Sequence, residues 1–167
     1  MVHVFERPLS SKWIYPCDQE SIRQRLRLLP EGDLEGLWAI GLVPSTQKDN
    51  SANGRYFRDD KPIIHLYSYP ETLEFKLPPF VKHKHILHSL AVELTYGMKI
   101  EQTGSRWLCK WTEEGLGRFI LGHVLVHEIG HHVFHEQRMK LGLEYMPQTE
   151  ESEQFAENYA LRHTTGL

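Results

Sequence analysis

His127-Glu128-Ile129-Gly130-His131 lies inside an apolar stretch, residues 119–134, and its reading decides the rest of the chain. Helical residues four apart sit one turn from each other on the same face. Two imidazoles at that spacing can hold a single Zn²⁺, while Glu128, next to the first, leans over the same edge. Two neutral nitrogen ligands beside a carboxylate base is what a zinc hydrolase needs. The plain alternative is an amphipathic helix whose histidines face solvent or hydrogen-bond locally. Gly130 weighs against it, because an interior glycine costs about 1 kcal/mol of helix propensity. Such a residue suggests that another backbone passes close by.

The helix carrying this run is expected to begin after Thr112, a good cap, with Glu113 and Glu114 in its first turn. It should run to about Gln137 and stop at Gly142. Leu121, Val124, Leu125, Ile129 and Val133 supply its buried surface. His123, His127, His131 and His135 recur every four residues as a slowly winding stripe. Each step rises about 6 Å, so one tetrahedral ion reaches only neighbouring members. Glu128 singles out the central pair, since Val124 and His132 offer no carboxylate to the flanking pairs.

The third ligand separates the possibilities. A glycine and a third histidine downstream are absent, with Phe134 and Gln137 in their places. A second helix follows instead, capped by Thr149 after Pro147 and reading from Glu150 to Leu161. Glu153, Ala156, Glu157 and Ala160 share one of its faces, and the two alanines permit close approach to the first helix. Glu153 is the natural ligand, with Glu150 and Glu157 as rivals. Glu157, one turn on, is placed to accept a hydrogen bond from the outer nitrogen of a ligating histidine.

Composition narrows the class. The chain has 167 residues, enough to bury a core as one domain over 1–167, with 40% hydrophobic and 25% charged residues. A formal charge of −3 argues against a dedicated nucleic-acid binder. Eleven histidines are the one oddity. Cys17 and Cys109 suggest neither a disulfide framework nor a cysteine zinc knuckle. No run reaches membrane-spanning length, and the first sixteen residues lack the apolar core of a signal peptide, so a cytoplasmic location is expected.

Upstream, Asp18 caps a short helix over residues 19–29, with Ile22, Leu26 and Leu29 on one face. Residues 37–43 read as a buried strand closed by Pro44, and 45–54 as a loop. Residues 55–58 and 63–69 form a hairpin pair, and 71–80 a loop or extended arm. Residues 90–100 and 106–111 read as the clearest hairpin, with Trp107, Cys109 and Trp111 facing inward. Lys82-His83-Lys84-His85, with His88 beyond, reads as a solvated loop, with a second metal or phosphate contact as its alternative.

The central run, followed by Glu153-x-x-Ala156-Glu157-x-Tyr159-Ala160, resembles the gluzincin metallopeptidases. It is most similar to the small ImmA/IrrE-type proteases. The match covers about a quarter of the chain, residues 122–161, and Glu157 departs from the usual Asp or Asn. The resemblance implies an α+β, zincin-like minimal fold: a short, twisted, mostly antiparallel sheet against an active-site helix and a C-terminal ligand helix. It implies one Zn²⁺ held by His127, His131 and Glu153, and Glu128 as the base in hydrolysis of a protein or peptide substrate. Tyr145, Tyr159 and His163 are candidate transition-state donors. An edge strand would bind substrate, with the hairpin of residues 90–111 as the expected supplier. Selectivity could come from a regulatory protein partner. The rival readings are a non-catalytic zinc-binding regulatory module and a zinc hydrolase acting on a non-peptide amide.

Overall fold

The computed structural model describes residues 1–45, 53–58, 60–77, 90–145 and 149–164. Most of the expected 45–54 loop, the Pro78-Pro79 break, the Lys82 to His88 cluster and Pro147 lie outside the described residues. Strands β1 (His3–Glu6), β3 (Ala39–Val43), β5 (Pro62–Tyr67) and β4 (Gly54–Arg58) form a four-stranded sheet in the order β1-β3-β5-β4. Strands β2 (Trp13–Ile14) and β6 (Tyr69–Pro70) make a small pair. Strands β7 (Glu74–Lys76), β9 (Arg106–Lys110) and β8 (Lys99–Thr103) make a separate antiparallel sheet.

The helices are α1 (Gln19–Leu26), α2 (Ala91–Thr95), α3 (Glu113–Phe119), α4 (Leu125–Lys140) and α5 (Glu150–His163). One π turn, Ile120–Val124, joins α3 and α4 into a continuous rod. There the Leu125 N–H bonds to the Ile120 carbonyl, one residue further back than in an α-helix. A tertiary partner takes up a neighbouring carbonyl: Arg25 donates to Leu121 O at 3.2 Å, while Thr164 Oγ1, whose proton goes to Ala160 O at 2.6 Å, lies 3.2 Å from Gly122 O. Arg25 also donates to the carbonyl of His163, tying α1 to both helices of the site.

Local chemistry accounts for most boundaries. Asp18 accepts from Ser21 N at 2.7 Å, Thr112 from Gly115 N at 3.0 Å and Thr149 from Ser152 N at 3.2 Å, each starting a helix as expected. Ile22, Leu26 and Leu29 are all buried. Gly142, at φ +72°, follows α4 in the left-handed conformation that ends a helix cheaply. Ile40, Leu42, Ile64 and Leu66 belong to one core with Leu125, Ile129 and Val133 of α4.

The fold is α+β, and the four-stranded sheet corrects the expectation of a mostly antiparallel one. Its β1–β3 and β3–β5 pairings are parallel, and only β4–β5 is antiparallel. A parallel pair needs a crossover, and α1 lies in the connection from β1 to β3. The expected 90–100 strand is also corrected. Its first half is α2, with Leu94 N bonded to Leu90 O at 3.0 Å, and Gly97 at φ +93° turns the chain into β8. Leu90 and Leu94 are one helical turn apart, and both pack against the core. The β-branched and aromatic content of the segment masks that spacing. Residues 71–80 contain β7, which pairs with β9.

Gly130 sits where α5 crosses α4. A Cβ there would lie 2.8 Å from Ala156 Cα and 3.0 Å from Tyr159 Cβ, both on α5. The close backbone that its position implied is therefore α5. Gly130→Ala gains about 1 kcal/mol of helix propensity but meets backbone, and overpacking of this kind costs about 1–3 kcal/mol. A net loss of about 1–2 kcal/mol is expected from urea unfolding of the metal-free protein.

Candidate metal centre

Helix α4 presents His127 and His131 to α5, and α5 returns Glu153. His127 Nε2 lies 3.1 Å from His131 Nε2 and 3.4 Å from Glu153 Oε2, and His131 Nε2 lies 3.6 Å from Glu153 Oε1. Ligand atoms around a tetrahedral zinc with bonds of 2.0–2.1 Å are spaced by about 3.3 Å. The triangle therefore matches a single ion of that size. Glu150, the first residue of α5, is exposed and lies outside the group.

The two imidazoles are held differently. His131 is buried, and its Nδ1 is 2.8 Å from Ser152 Oγ, itself fully buried. That contact leaves Nε2 as the nitrogen facing Glu153. Burial holds the His131 imidazolium down, to about 3, so the ring is neutral at any physiological pH, the state that could offer a lone pair to a metal. His127 Nδ1 faces Glu157 Oε2 at 3.4 Å, the contact expected of Glu157, but it is buried without an aligned hydrogen bond. The exposed carboxylate of Glu153 leaves the centre reachable from solvent.

Glu128 is set by the edge strand. In the β4–β5 pair Tyr67 N bonds Asn53 O, so the backbone groups of Gly54, Tyr56 and Arg58 alternate to the outer edge. The Tyr56 N–H donates to the Glu128 carboxylate. Gly54 makes room for it, since a Cβ there would fall 2.8 Å from Val124 Cγ1 and 3.2 Å from Glu128 Cγ. The ion pair of Arg58 with Glu136 clamps the same strand to α4. Glu128 is buried, and its Oε2 has no hydrogen-bond partner. Desolvation, reinforced by the Glu153 carboxylate, pushes its pKa up to about 8 against the opposing Tyr56 N–H and Arg55. An orphaned carboxylate oxygen coupled to the charge of Glu153 is the environment a bound cation would relieve.

The remaining expected residues are placed otherwise. The Tyr159 hydroxyl donates to Asp33 Oδ2 at 2.7 Å, and the His163 ring packs on Tyr159 at 4.4 Å. Neither is brought to the His127–His131–Glu153 triangle. The Tyr145 ring lies 4.5 Å from His135. His135, the last of the stripe, is buried and stacks on Tyr56 at 5.7 Å, and His132 bonds the Glu35 carbonyl at 2.9 Å. Ser152 and the Tyr56 N–H were not anticipated. Ser152 precedes Glu153 in the chain, which was its only signal in the sequence.

Compared with protein-family models, curated proteins and solved structures, the chain matches none.

Two outcomes follow. Ser152→Ala should weaken Zn²⁺ affinity by roughly 10–100-fold, as loss of a partner to a ligating histidine does. Competition with a chromophoric chelator measures it. The second concerns acid. Burial depresses His131 to about 3 and His135 to about 4 from an ordinary 6.5. The stability these rings contribute is complete above 6.5 and is lost as the pH falls through their folded values. His135→Phe should remove about one proton from this linkage, about 1.4 kcal/mol per pH unit at most. Urea midpoints of metal-free protein between pH 6.5 and 4 report the change.

Proposed function

We propose that this chain is a zinc-dependent peptidase of the gluzincin kind, closest in pattern to the ImmA/IrrE-type proteases. One observation carries the reading: His127, His131 and Glu153 meet as possible ligands, and Glu128, next to His127 in sequence and coupled to Glu153, is pinned by the edge strand. Three protein ligands leave a coordination position open, whereas a structural zinc site closes all four. A buried base is of no use to a purely structural site. That favours an enzyme over a zinc-holding module.

The bound zinc would activate a water and polarise the scissile carbonyl. The protein's own residues do the rest. His127 and His131 offer nitrogen lone pairs, and Ser152 keeps the His131 ring in one orientation. Glu128 takes the proton of the attacking water and delivers it to the leaving amine. A carboxylate raised toward neutrality can do both, because its driving force is then small in either direction. The Tyr56 N–H holds one of its oxygens and leaves the other free. Substrate backbone is read as adding alongside β4, whose outer edge flanks Glu128, in the manner of strand addition. That role passes to β4 from the 90–111 hairpin, whose strands lie in the other sheet. Among the described residues no helix is long and apolar enough to cross a membrane.

Glu128→Gln should keep one zinc per chain and lose peptide cleavage by at least ~100-fold, the lower range for loss of a general base. Mass spectrometry of peptide-library digests, with metal analysis of the same samples, makes the measurement. Cleavage at the wild-type rate by a zinc-loaded Glu128→Gln protein overturns the proposal.

A further inference from the structure

The π turn places a second set of ligand atoms beside the first. His123 belongs to that turn, and its Nε2 lies 3.4 Å from Glu157 Oε2. The same carboxylate oxygen lies 3.4 Å from His127 Nδ1. His123, His127 and Glu157 each offer a ligand atom within 4.8 Å of those of the other two, as do His127, His131 and Glu153. The His123 ring is stacked on Phe119, 5.8 Å between centroids at 10°, and Phe119 in turn on Trp111, so its orientation is built in. His123, His127 and Glu157 are all half-buried. His127 Nδ1 has no hydrogen bond although a carboxylate oxygen is near. A cation among the three atoms would satisfy it.

We infer that His123, His127 and Glu157 form a second, outer position for a divalent transition-metal ion, one that shares His127 with the inner triangle and excludes it. This rests on the metal-centre reading above. The exclusion follows from the imidazole, since a neutral ring has one lone pair and one N–H. With an ion on Nε2, Nδ1 carries the hydrogen and faces Glu157. With an ion on Nδ1, Nε2 carries the hydrogen and faces Glu153. Each occupancy therefore leaves the unused carboxylate opposite an N–H. The choice of ion follows from the ligands, because two imidazoles and a carboxylate suit zinc, cobalt or nickel far better than calcium or magnesium. Glu128 is coupled to Glu153 of the inner triangle. An ion in the outer position is thus held on the other ring nitrogen of His127, opposite Glu157 rather than Glu153.

Co²⁺ alone is the probe, because its visible absorption reports the ligand set as well as occupancy. Metal-free wild type, Glu153→Ala, His123→Ala and the double variant are titrated, with circular dichroism verifying their fold. Glu153 is about half exposed, so its truncation leaves the core intact. Wild type should saturate at one Co²⁺. Glu153→Ala should still bind one, weakened roughly 10–100-fold, with an altered spectrum from the outer ligands. The double variant should lose a further ~100-fold or more. His123→Ala should keep one ion with the wild-type spectrum. Loss of all binding in Glu153→Ala, or equal affinity in Glu153→Ala and the double variant, overturns the outer position. Two ions bound at saturation by wild type overturns the exclusion. If His123→Ala loses the ion while Glu153→Ala keeps the wild-type spectrum, the inner reading itself has failed, a different and separable result.

Discussion

The site depends on a contact between two backbones. Gly130 of α4 lies against Ala156 of α5 with no room for a single methyl group. That closeness lets a side chain as short as glutamate reach from one helix to the histidines of the other. A wider helix pair, spaced at the usual 8–10 Å or beyond by larger side chains, would draw Glu153 away from His127 and His131. The same contact brings Ser152 under His131 and Glu157 beside His127. Small residues at the crossing thus set the geometry of the charged ones around it.

A second constraint acts from the opposite side of α4. Strand β4 is held to the helix by the Arg58–Glu136 ion pair, by the Tyr56 N–H on Glu128, and by the Tyr56 ring between His132 and His135. Burying Glu128 is unfavourable for its charged form, and one backbone hydrogen bond compensates only in part. The carboxylate is left poised, which suits the proposed base and would cost stability in a protein with no use for it. The buried neutral rings of His131, His132 and His135 follow the same logic, since each sits where its charged form is disfavoured. The stripe that looks uniform in the sequence thus divides into rings that face α5 and one, His135, that belongs to the interface with β4.

Several features were legible because they rest on local rules. Asp18, Thr112 and Thr149 cap helices through their own side chains, and Gly142 ends one through its backbone. The spacing of His127 and His131, and the glutamate-alanine face of α5, are helical arithmetic. The errors are non-local. Residues 91–95, Ala-Val-Glu-Leu-Thr, read as strand through Val92 and Thr95, yet Ala91, Glu93 and Leu94 favour a helix, and Leu90 and Leu94 pack on the core from one helical face. Strand direction in the main sheet was misjudged because pairing partners are chosen across the chain, not along it.

By itself the sequence determined which residues could bind a metal and on which helices they lie, since ligand type and periodicity are properties of the chain alone. Only the tertiary structure decided which carboxylate meets the two histidines and which edge strand flanks Glu128. It also decided that a π turn would bring His123 to Glu157. Arg25, distant in sequence, donates to the Leu121 carbonyl, which the turn leaves without the Leu125 N–H. Distances of three to four ångströms between elements depend on packing, and packing is settled by all the contacts together rather than by any one segment.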